Sequence, residues 1–209
     1  MIRVAREGWV FIGIAWAIAL AFGLLRWWIP LALWIPIAIW TLVFFRDPDR
    51  PGPRGEELVL APADGVVVSV IPVDEPLFLQ GAATRISIFM NVVNVHVNRY
   101  PVSGRLRFRR YSRGRFGHAM AEKASTMNEQ CSVGIDASRG RVLVRQIAGS
   151  VARRIVTDHE EGTDVVQGER MGIIRFGSRV DLFLPRSVQV AVREGDKTKA
   201  GLTIVARWS

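Results

Sequence analysis

Three side-chain types that together can run nucleophilic chemistry, a hydroxyl, an imidazole and a carboxylate, stand in three separated fragments of this 209-residue chain. Ser178 follows Gly177 within Arg175-Phe176-Gly177-Ser178-Arg179-Val180-Asp181-Leu182, a stretch whose flanks otherwise read as strand. His96 lies in the β-branched run Asn91-Val92-Val93-Asn94-Val95-His96-Val97-Asn98-Arg99, and Asp64 precedes Gly65 in Leu60-Ala61-Pro62-Ala63-Asp64-Gly65-Val66-Val67. A serine hydroxyl becomes a nucleophile when a base takes its proton. His96 is the candidate base, and Asp64 the candidate to orient it and stabilise its protonated form. Taken singly, each has an ordinary structural reading: a bulge or bend for Gly-Ser in a strand, a turn for Asp-Gly, a hydrogen-bonded core residue for a histidine among valines.

The three fragments together are far more specific than any one of them. Asp-Gly, Asn-Val-His-Val-Asn-Arg and Phe-Gly-Ser, in this order and at these distances, resemble the phosphatidylserine decarboxylase family in its short bacterial form, over nearly the whole chain. The resemblance implies a pyruvoyl enzyme that makes its own electron sink. Ser178 Oγ would attack the Gly177 carbonyl to give an ester, elimination would give dehydroalanine, and hydrolysis would leave a pyruvoyl group at a new N-terminus. Asp64, His96 and Ser178 are assigned to this self-cleavage by residue matching. The products would be chains 1–177 and 178–209, held together as a heterodimer, and the reaction would convert phosphatidylserine to phosphatidylethanolamine without a metal or pyridoxal phosphate. Gly177 suits the scissile position because a missing Cβ opens the carbonyl to attack. His118, Asn128 and Glu129 match a family stretch that lines the site and are candidate substrate-binding residues. The chain has Val93 where some relatives carry a further histidine, and Gln130 where relatives often have arginine, so roles at those two positions do not carry over.

The elements that must position these residues read as β. Val66–Ile71, Arg85–Met90, Val92–Val97, Arg141–Ile147, Val151–Val156, Ile173–Leu184, Ser187–Val192 and Leu202–Ala206 are short runs rich in valine and isoleucine, separated by Gly, Pro, Asp and Ser. Such spacing predicts a mainly β barrel or sandwich-like domain over residues 58–209. One short helix is expected at Ala119–Ser125. The stretch from Glu161 to Gly172 resembles the glycine-bearing corners of small barrel-sandwich carrier domains.

Composition adds a second part. The chain is 49% hydrophobic with a mean hydropathy of +0.19, and the excess lies before Arg46. From Trp9 to Phe45 only Arg26 interrupts the apolar run, too long for a signal peptide core and without its cleavage pattern. Two apolar helices are expected, about residues 8–25 and 29–45, forming a membrane hairpin over residues 1–45 that either spans the bilayer or, with Pro30 and Pro36, enters it as a shallow re-entrant turn. Arg3 and Arg6 at one end and Arg46, Arg50 and Arg54 at the other outnumber the lone Arg26 in the turn. The positive-inside bias therefore puts both ends, and the β-rich domain, on the cytoplasmic side of the cell (inner) membrane. Residues 46–57, with three prolines and two glycines, read as a stiff linker that tethers the domain to a lipid substrate.

The net charge is +9. Three Arg and one Glu before residue 46 account for +2 of it, leaving +7 for the β-rich part. Six arginines fall between Arg105 and Arg115, with Arg105, Arg107 and Arg109 alternating so that a strand would place them on one face. Beside an apolar hairpin this run points to an anionic membrane surface rather than to nucleic acid. Cys131 is the single cysteine, which excludes an internal disulfide. Three scattered histidines lack ligand spacing for a metal, and His159 reads as solvated. Two other classes remain, a membrane-anchored Ser/His/Asp hydrolase, which lacks a Gly-x-Ser-x-Gly elbow around Ser178, and a non-enzymatic membrane adaptor.

Overall fold

The computed structural model describes residues 2–114, 128–149, 154–175 and 178–208. They fall into two compact units, Met1–Asp49 and Arg50–Ser209.

The first unit is a helical hairpin. Strand β1 (Ile2–Val4) leads into α1 (Trp9–Leu24), and α2 (Trp28–Phe44) returns to β2 (Arg46–Pro48), which pairs antiparallel with β1 and ties the two ends together. The reversal passes through Arg26 at φ 57. Both helices are apolar on every side, and Trp9, Ile14, Leu20, Leu24, Ile29 and Leu33 are exposed. A helix without a polar face gains nothing from facing water. Residues Arg6–Leu24, 19 in number with mean hydropathy 1.8, are long and apolar enough to cross a membrane, whereas α2 has 17 residues. Between the helices the Trp34 indole N–H donates to the Ala15 carbonyl at 2.8 Å. The stretch read as a linker starts with the three residues of β2.

In chain order the second unit comprises β3 (Leu58–Leu60), β4 (Gly65–Glu75), β5 (Gly81–Met90), β6 (Val97–Arg99), β7 (Gly104–Ser112), β8 (Gln130–Ala137) and β9 (Gly140–Ala148). It continues with β10 (Ile155–Thr157), β11 (Asp164–Val165), β12 (Arg170–Ile174), β13 (Ser178–Pro185), β14 (Gln189–Val190), β15 (Lys197–Thr198) and β16 (Ile204–Arg207). Eight of these form one curled half-barrel sheet in the order β11-β7-β8-β9-β13-β5-β4-β15. Two three-stranded sheets, β10-β12-β6 and β14-β16-β3, supply the other side of the core. Val67, Ile88, Val133, Val144, Val180 and Leu182 of the large sheet share one buried cluster with Val59 and Val205 of one small sheet and Met171 and Ile174 of the other. The mainly β fold behind an apolar helix pair is the expected class.

Local expectations fail where side chains or bulges override alternation. Val92–Val97 is not a strand. Asn91 Oδ1 accepts from the Val93 and Asn94 amides, and Asn94 Oδ1 accepts from the Asn91 amide, closing a turn that valines alone would not make. Ile173–Leu184 divides into β12 and β13, which belong to different sheets. The three alternating arginines do not share a solvent face. A bulge between Leu106 and Phe108 breaks the period, and Arg109 turns to Thr157 and Glu160, while Arg105 pairs with Asp164 at 3.5 Å. The short helix expected at Ala119–Ser125 lies outside the described residues.

Candidate active site

Ser178 opens β13, the strand that lies between β5 and β9 at the middle of the large sheet, and is paired with Met90 on one side and Ala148 on the other. Because neighbouring strands are antiparallel, the start of β13 meets the ends of β5 and β9 and the starts of β4 and β8 along one edge of the sheet. Asp64 and Gly65 lie on that edge at the start of β4. Asn128 and Glu129 lie on it just before β8. Gly65 is required there by close approach, since a Cβ would run into the Phe89 carbonyl oxygen of β5.

The Ser178 hydroxyl is fully buried and donates to Met90 Sδ at 3.4 Å. A thioether is a weak acceptor, so the hydroxyl is held without being strongly committed. The same sulfur receives Asn98 Nδ2 at 3.7 Å, and Asn98 Oδ1 in turn accepts from Gln146 Nε2 at 2.8 Å. Asn98 belongs to β6, whose ladder with β12 continues one step through the Ile174 amide to the His96 carbonyl at 3.4 Å. His96 stands two residues before Asn98, which reaches the Met90 sulfur that also holds Ser178. His96 is fully buried, and its Nδ1 lies 3.0 Å from the Asn94 carbonyl. A carbonyl only accepts, so Nδ1 carries the proton in the neutral ring and Nε2 keeps the basic lone pair.

Asp64 is arranged differently from the sequence expectation. Its Oδ2 takes Arg50 Nη2 at 2.8 Å and its Oδ1 takes the Ala200 amide at 2.7 Å. The imidazole is oriented by the Asn94 carbonyl, and Asp64 by a guanidinium and a backbone amide, so the expected division of labour, Asp64 directing His96, is not the hydrogen bonding of the described atoms. The carboxylate answers to the stronger partner, a cation as buried as itself.

Asn128 and Glu129 are both buried and stand one strand from Ser178's partner Ala148. Asn128 Nδ2 donates to the Ala148 carbonyl at 2.8 Å, and the Ala148 amide donates to the Glu129 carbonyl at 2.9 Å. Tyr111 Oη donates to Glu129 Oε1. Burial and that bond push the Tyr111 phenol up to about 12. His118 and Gly177 lie outside the described residues. His159, read as solvated, is half-buried and bonded through Nδ1 to the Tyr100 hydroxyl at 3.0 Å. Among the described residues no group of His, Cys, Asp and Glu could hold a metal ion.

Sequence reasoning missed Arg50, Asn94, Met90, Asn98 and Gln146. Asn98 carried a usable signal, two positions after His96 in one fragment. Gln146 carried a weaker one, an uncharged polar residue in the apolar run from Val142 to Ala148. Met90 and Arg50 carried none, because their roles arise only from pairing across the sheet.

An antiparallel sheet that presents a buried serine at the start of its central strand, with an imidazole and a carboxylate on neighbouring turns, defines a Ser/His/Asp-bearing β-domain. The family model for phosphatidylserine decarboxylase matches residues 37–206. Relatives described as phosphatidylserine decarboxylase proenzyme include one from Symbiobacterium thermophilum, 43% identical over 205 residues, covering 98% of this chain and 95% of the relative. Another, from Aromatoleum aromaticum, is 45% identical over 210 residues, covering 97% of this chain and 94% of its own. A third, from Nitratidesulfovibrio vulgaris, is 44% identical and covers 100% of this chain and 96% of its own. The chain belongs to the phosphatidylserine decarboxylase family, whose members are carboxy-lyases.

Proposed function

We propose that this chain is the precursor of a membrane-tethered, pyruvoyl-dependent enzyme that decarboxylates phosphatidylserine to phosphatidylethanolamine. The observation that carries the reading is the meeting of Ser178 and Asn98, two residues after His96, at the Met90 sulfur, at the edge of the sheet where Asp64 also lies. The relatives' description as proenzymes supports processing.

His96 Nε2 takes the proton of Ser178 Oγ as that oxygen attacks the Gly177 carbonyl, so the peptide bond becomes an ester and the Ser178 amine is freed. Loss of the Ser178 α-proton then expels the Gly177 carboxylate, and water replaces the nitrogen of the resulting enamine, which departs as ammonia. Asp64 stabilises the positive charge that this edge acquires, acting from its seat on Arg50 and Ala200. Ser178 fits the position of the group it would become. It heads a strand hydrogen-bonded on both sides, so the new N-terminus is fixed in place. When formed, a pyruvoyl group supplies an electrophilic carbonyl that accepts the electron pair left by departing carbon dioxide. Asn128, Glu129 and His118 bind and orient the serine headgroup.

Chain 178–209 stays with chain 1–177 as a heterodimer. Leu182 and Leu184 are buried in the common core, and β13 keeps both ladders. The apolar hairpin anchors the enzyme in the inner membrane with the β-domain on the cytoplasmic side, beside an anionic lipid surface. Arg107, Arg110 and Arg113 are exposed, form no ion pair among the described residues, and are the cations available to such a surface.

Denaturing electrophoresis and intact mass test the reading. The wild type should yield a 32-residue fragment (178 to 209) with a ketone at its N-terminus that an added amine and reductant trap, and Ser178→Ala a single 23.3 kDa chain without activity. An active wild type that stays in one piece sinks the proposal and leaves a hydrolase on the intact chain.

A further inference from the structure

Only three of the 28 basic residues are lysines, and two of them, Lys197 and Lys199, line one cleft of about 420 Å³ beside Asp64. Gly65, Val66, Asn91, Asn94, Thr198 and Thr203 complete its wall. The side-chain oxygens of that wall are already engaged within the protein. Asn91 and Asn94 serve their own turn, Thr198 Oγ1 donates to the Ala63 carbonyl at 3.0 Å, and Thr203 Oγ1 accepts from the Lys199 amide at 2.9 Å. Asp64 is neutralised by Arg50, and Asp196, next to Lys197 in the chain, turns to Arg193. The two exposed ammonium groups are therefore the unspent charge of the cleft, and neither forms an ion pair among the described residues.

Two uncompensated cations at a small cleft call for an anion, and the cleft opens on the sheet edge that carries Ser178. We infer that Lys197 and Lys199 form a phosphate subsite, which takes the phosphodiester of the lipid headgroup while its serine end lies at Ser178. This inference rests on the decarboxylase reading for the identity of the lipid. Reach agrees with it. Lys197 pairs with Val66, Val66 with Phe89, and Phe89 with Arg179, so Lys197 stands three strands, about 14 Å, from the start of β13. A seryl phosphodiester spans roughly 6 Å from amine to phosphorus, and an extended lysine side chain covers roughly the same distance. Electrostatics agrees as well. A serine phospholipid carries two anionic groups, and a cation held on the carboxylate would stabilise the ground state of the group that must leave as neutral carbon dioxide. Cations are better placed on the phosphate, which does not change charge.

The test uses the full-length protein in neutral detergent. Amine acetylation read by peptide mass spectrometry should show Lys197 and Lys199 protected by sn-glycero-3-phosphoserine, with weaker protection by inorganic phosphate and none by free serine. Stronger protection by inorganic phosphate would assign the subsite to free phosphate and overturn the headgroup placement. In mixed micelles the double variant Lys197→Ala with Lys199→Ala should raise KM for phosphatidylserine about tenfold or more with little change in kcat, and Arg at both positions should restore it. Processing to the 178–209 fragment should stay complete, which separates this test from that of the function, since a wild type that never cleaves removes the reading beneath it. Protection by phosphatidylglycerol vesicles alone, with neither soluble phosphate effective, would make the lysines a surface-adsorption patch and overturn the subsite, as would an unchanged KM.

Discussion

Strand β13 has two buried faces of opposite chemistry. On the inner face, Val180, Leu182 and Leu184 join the main apolar cluster. On the outer face, Arg179 and Asp181 are 2% and 0% exposed and form a fork-to-fork pair, Nε to Oδ1 at 2.6 Å and Nη2 to Oδ2 at 3.0 Å. Directly across the ladder from Asp181 stands Arg145, whose Nη2 lies 3.6 Å from Glu75 Oε1 and whose guanidinium packs over the Phe183 ring. Burial pulls the Arg145 guanidinium down from its ordinary value, and Asp181 and Glu75 oppose that fall. Glu75 in turn accepts the amides of Leu77, Phe78 and Leu79, which folds the β4–β5 turn over this face.

The difference concerns register more than stability. An apolar face tolerates sliding by two residues, because every second side chain is aliphatic. A one-residue slip would drive Arg179 and Asp181 into the apolar cluster and bring leucines to the charges. Buried ion pairs contribute little net stability, and specifying one arrangement is the use best attested for them. Here the arrangement specified is the position of Ser178. Once the chain is cut, no covalent bond would hold that residue at the sheet edge, and we propose that the charged face keeps it there.

The largest effect that would break this contrast comes from removing one charge. Asp181→Ala should destabilise by about 3–5 kcal/mol, because Arg179 remains buried without its paired carboxylate and Arg145 keeps only Glu75. Arg179→Met combined with Asp181→Leu should recover most of the loss in denaturant unfolding. Fragment 178–209 of that double variant should nevertheless show mixed register, seen as loss of the ketone-trapping signal. Retention of the full signal would mean that the apolar face alone sets the register. On the inner face, Leu182→Ala should cost about 2–5 kcal/mol through the cavity it leaves, with the ketone signal preserved per folded molecule. The two variants thus separate by readout even where their stabilities overlap. A smaller step is Glu75→Gln, which keeps the shape of the acceptor but removes its charge from Arg145. A loss of about 1–3 kcal/mol is expected, and a null result in the same unfolding experiment would remove Glu75 from the network.

The inner face was legible in the sequence and the outer one was not. Valine and isoleucine runs announced the strands, and continuous apolar sequence announced both helices, read as about 8–25 and 29–45 and observed as Trp9–Leu24 and Trp28–Phe44. What misled was local chemistry that competes with periodicity. The Asn91 and Asn94 side chains turn a valine-rich stretch, and the bulge after Leu106 re-aims three arginines. Strand β8 escaped notice because its run, Gln130-Cys131-Ser132-Val133-Gly134-Ile135, mixes polar residues that only the outer-face network requires, with Ser132 Oγ accepting from Arg145 Nε at 3.1 Å. At the site, Ser178, His96 and Asp64 were readable as residue types in three fragments. The partner of Asp64 was not, since Arg50 lies in a proline-rich stretch that carries no periodic signal.

A polar pair at the rim gives the mildest test of the same contrast. Tyr111 is half exposed, and its phenol is bonded to buried Glu129, whereas the Arg179–Asp181 pair is sealed from solvent. Burial and the Glu129 bond raise the Tyr111 phenol to about 12, and burial also raises Tyr100, the only other tyrosine. With folded values above the unfolded value of about 10, the folded chain binds more protons than the unfolded chain as pH rises past 10. The Tyr111 contribution is therefore fully present below pH 10 and is lost between about 10 and 12. Ultraviolet titration of the folded protein should show almost no phenolate at pH 10.5, and the unfolded protein should show most of two phenolates. Glu129→Gln removes the neighbouring charge but leaves an acceptor, and should bring one phenol back toward 10 while Tyr100 stays protonated. If both tyrosines of the wild type ionise together near pH 10, Tyr111 is not held by Glu129. The rim pair would then differ from the buried one in kind, as a contact that solvent dissolves.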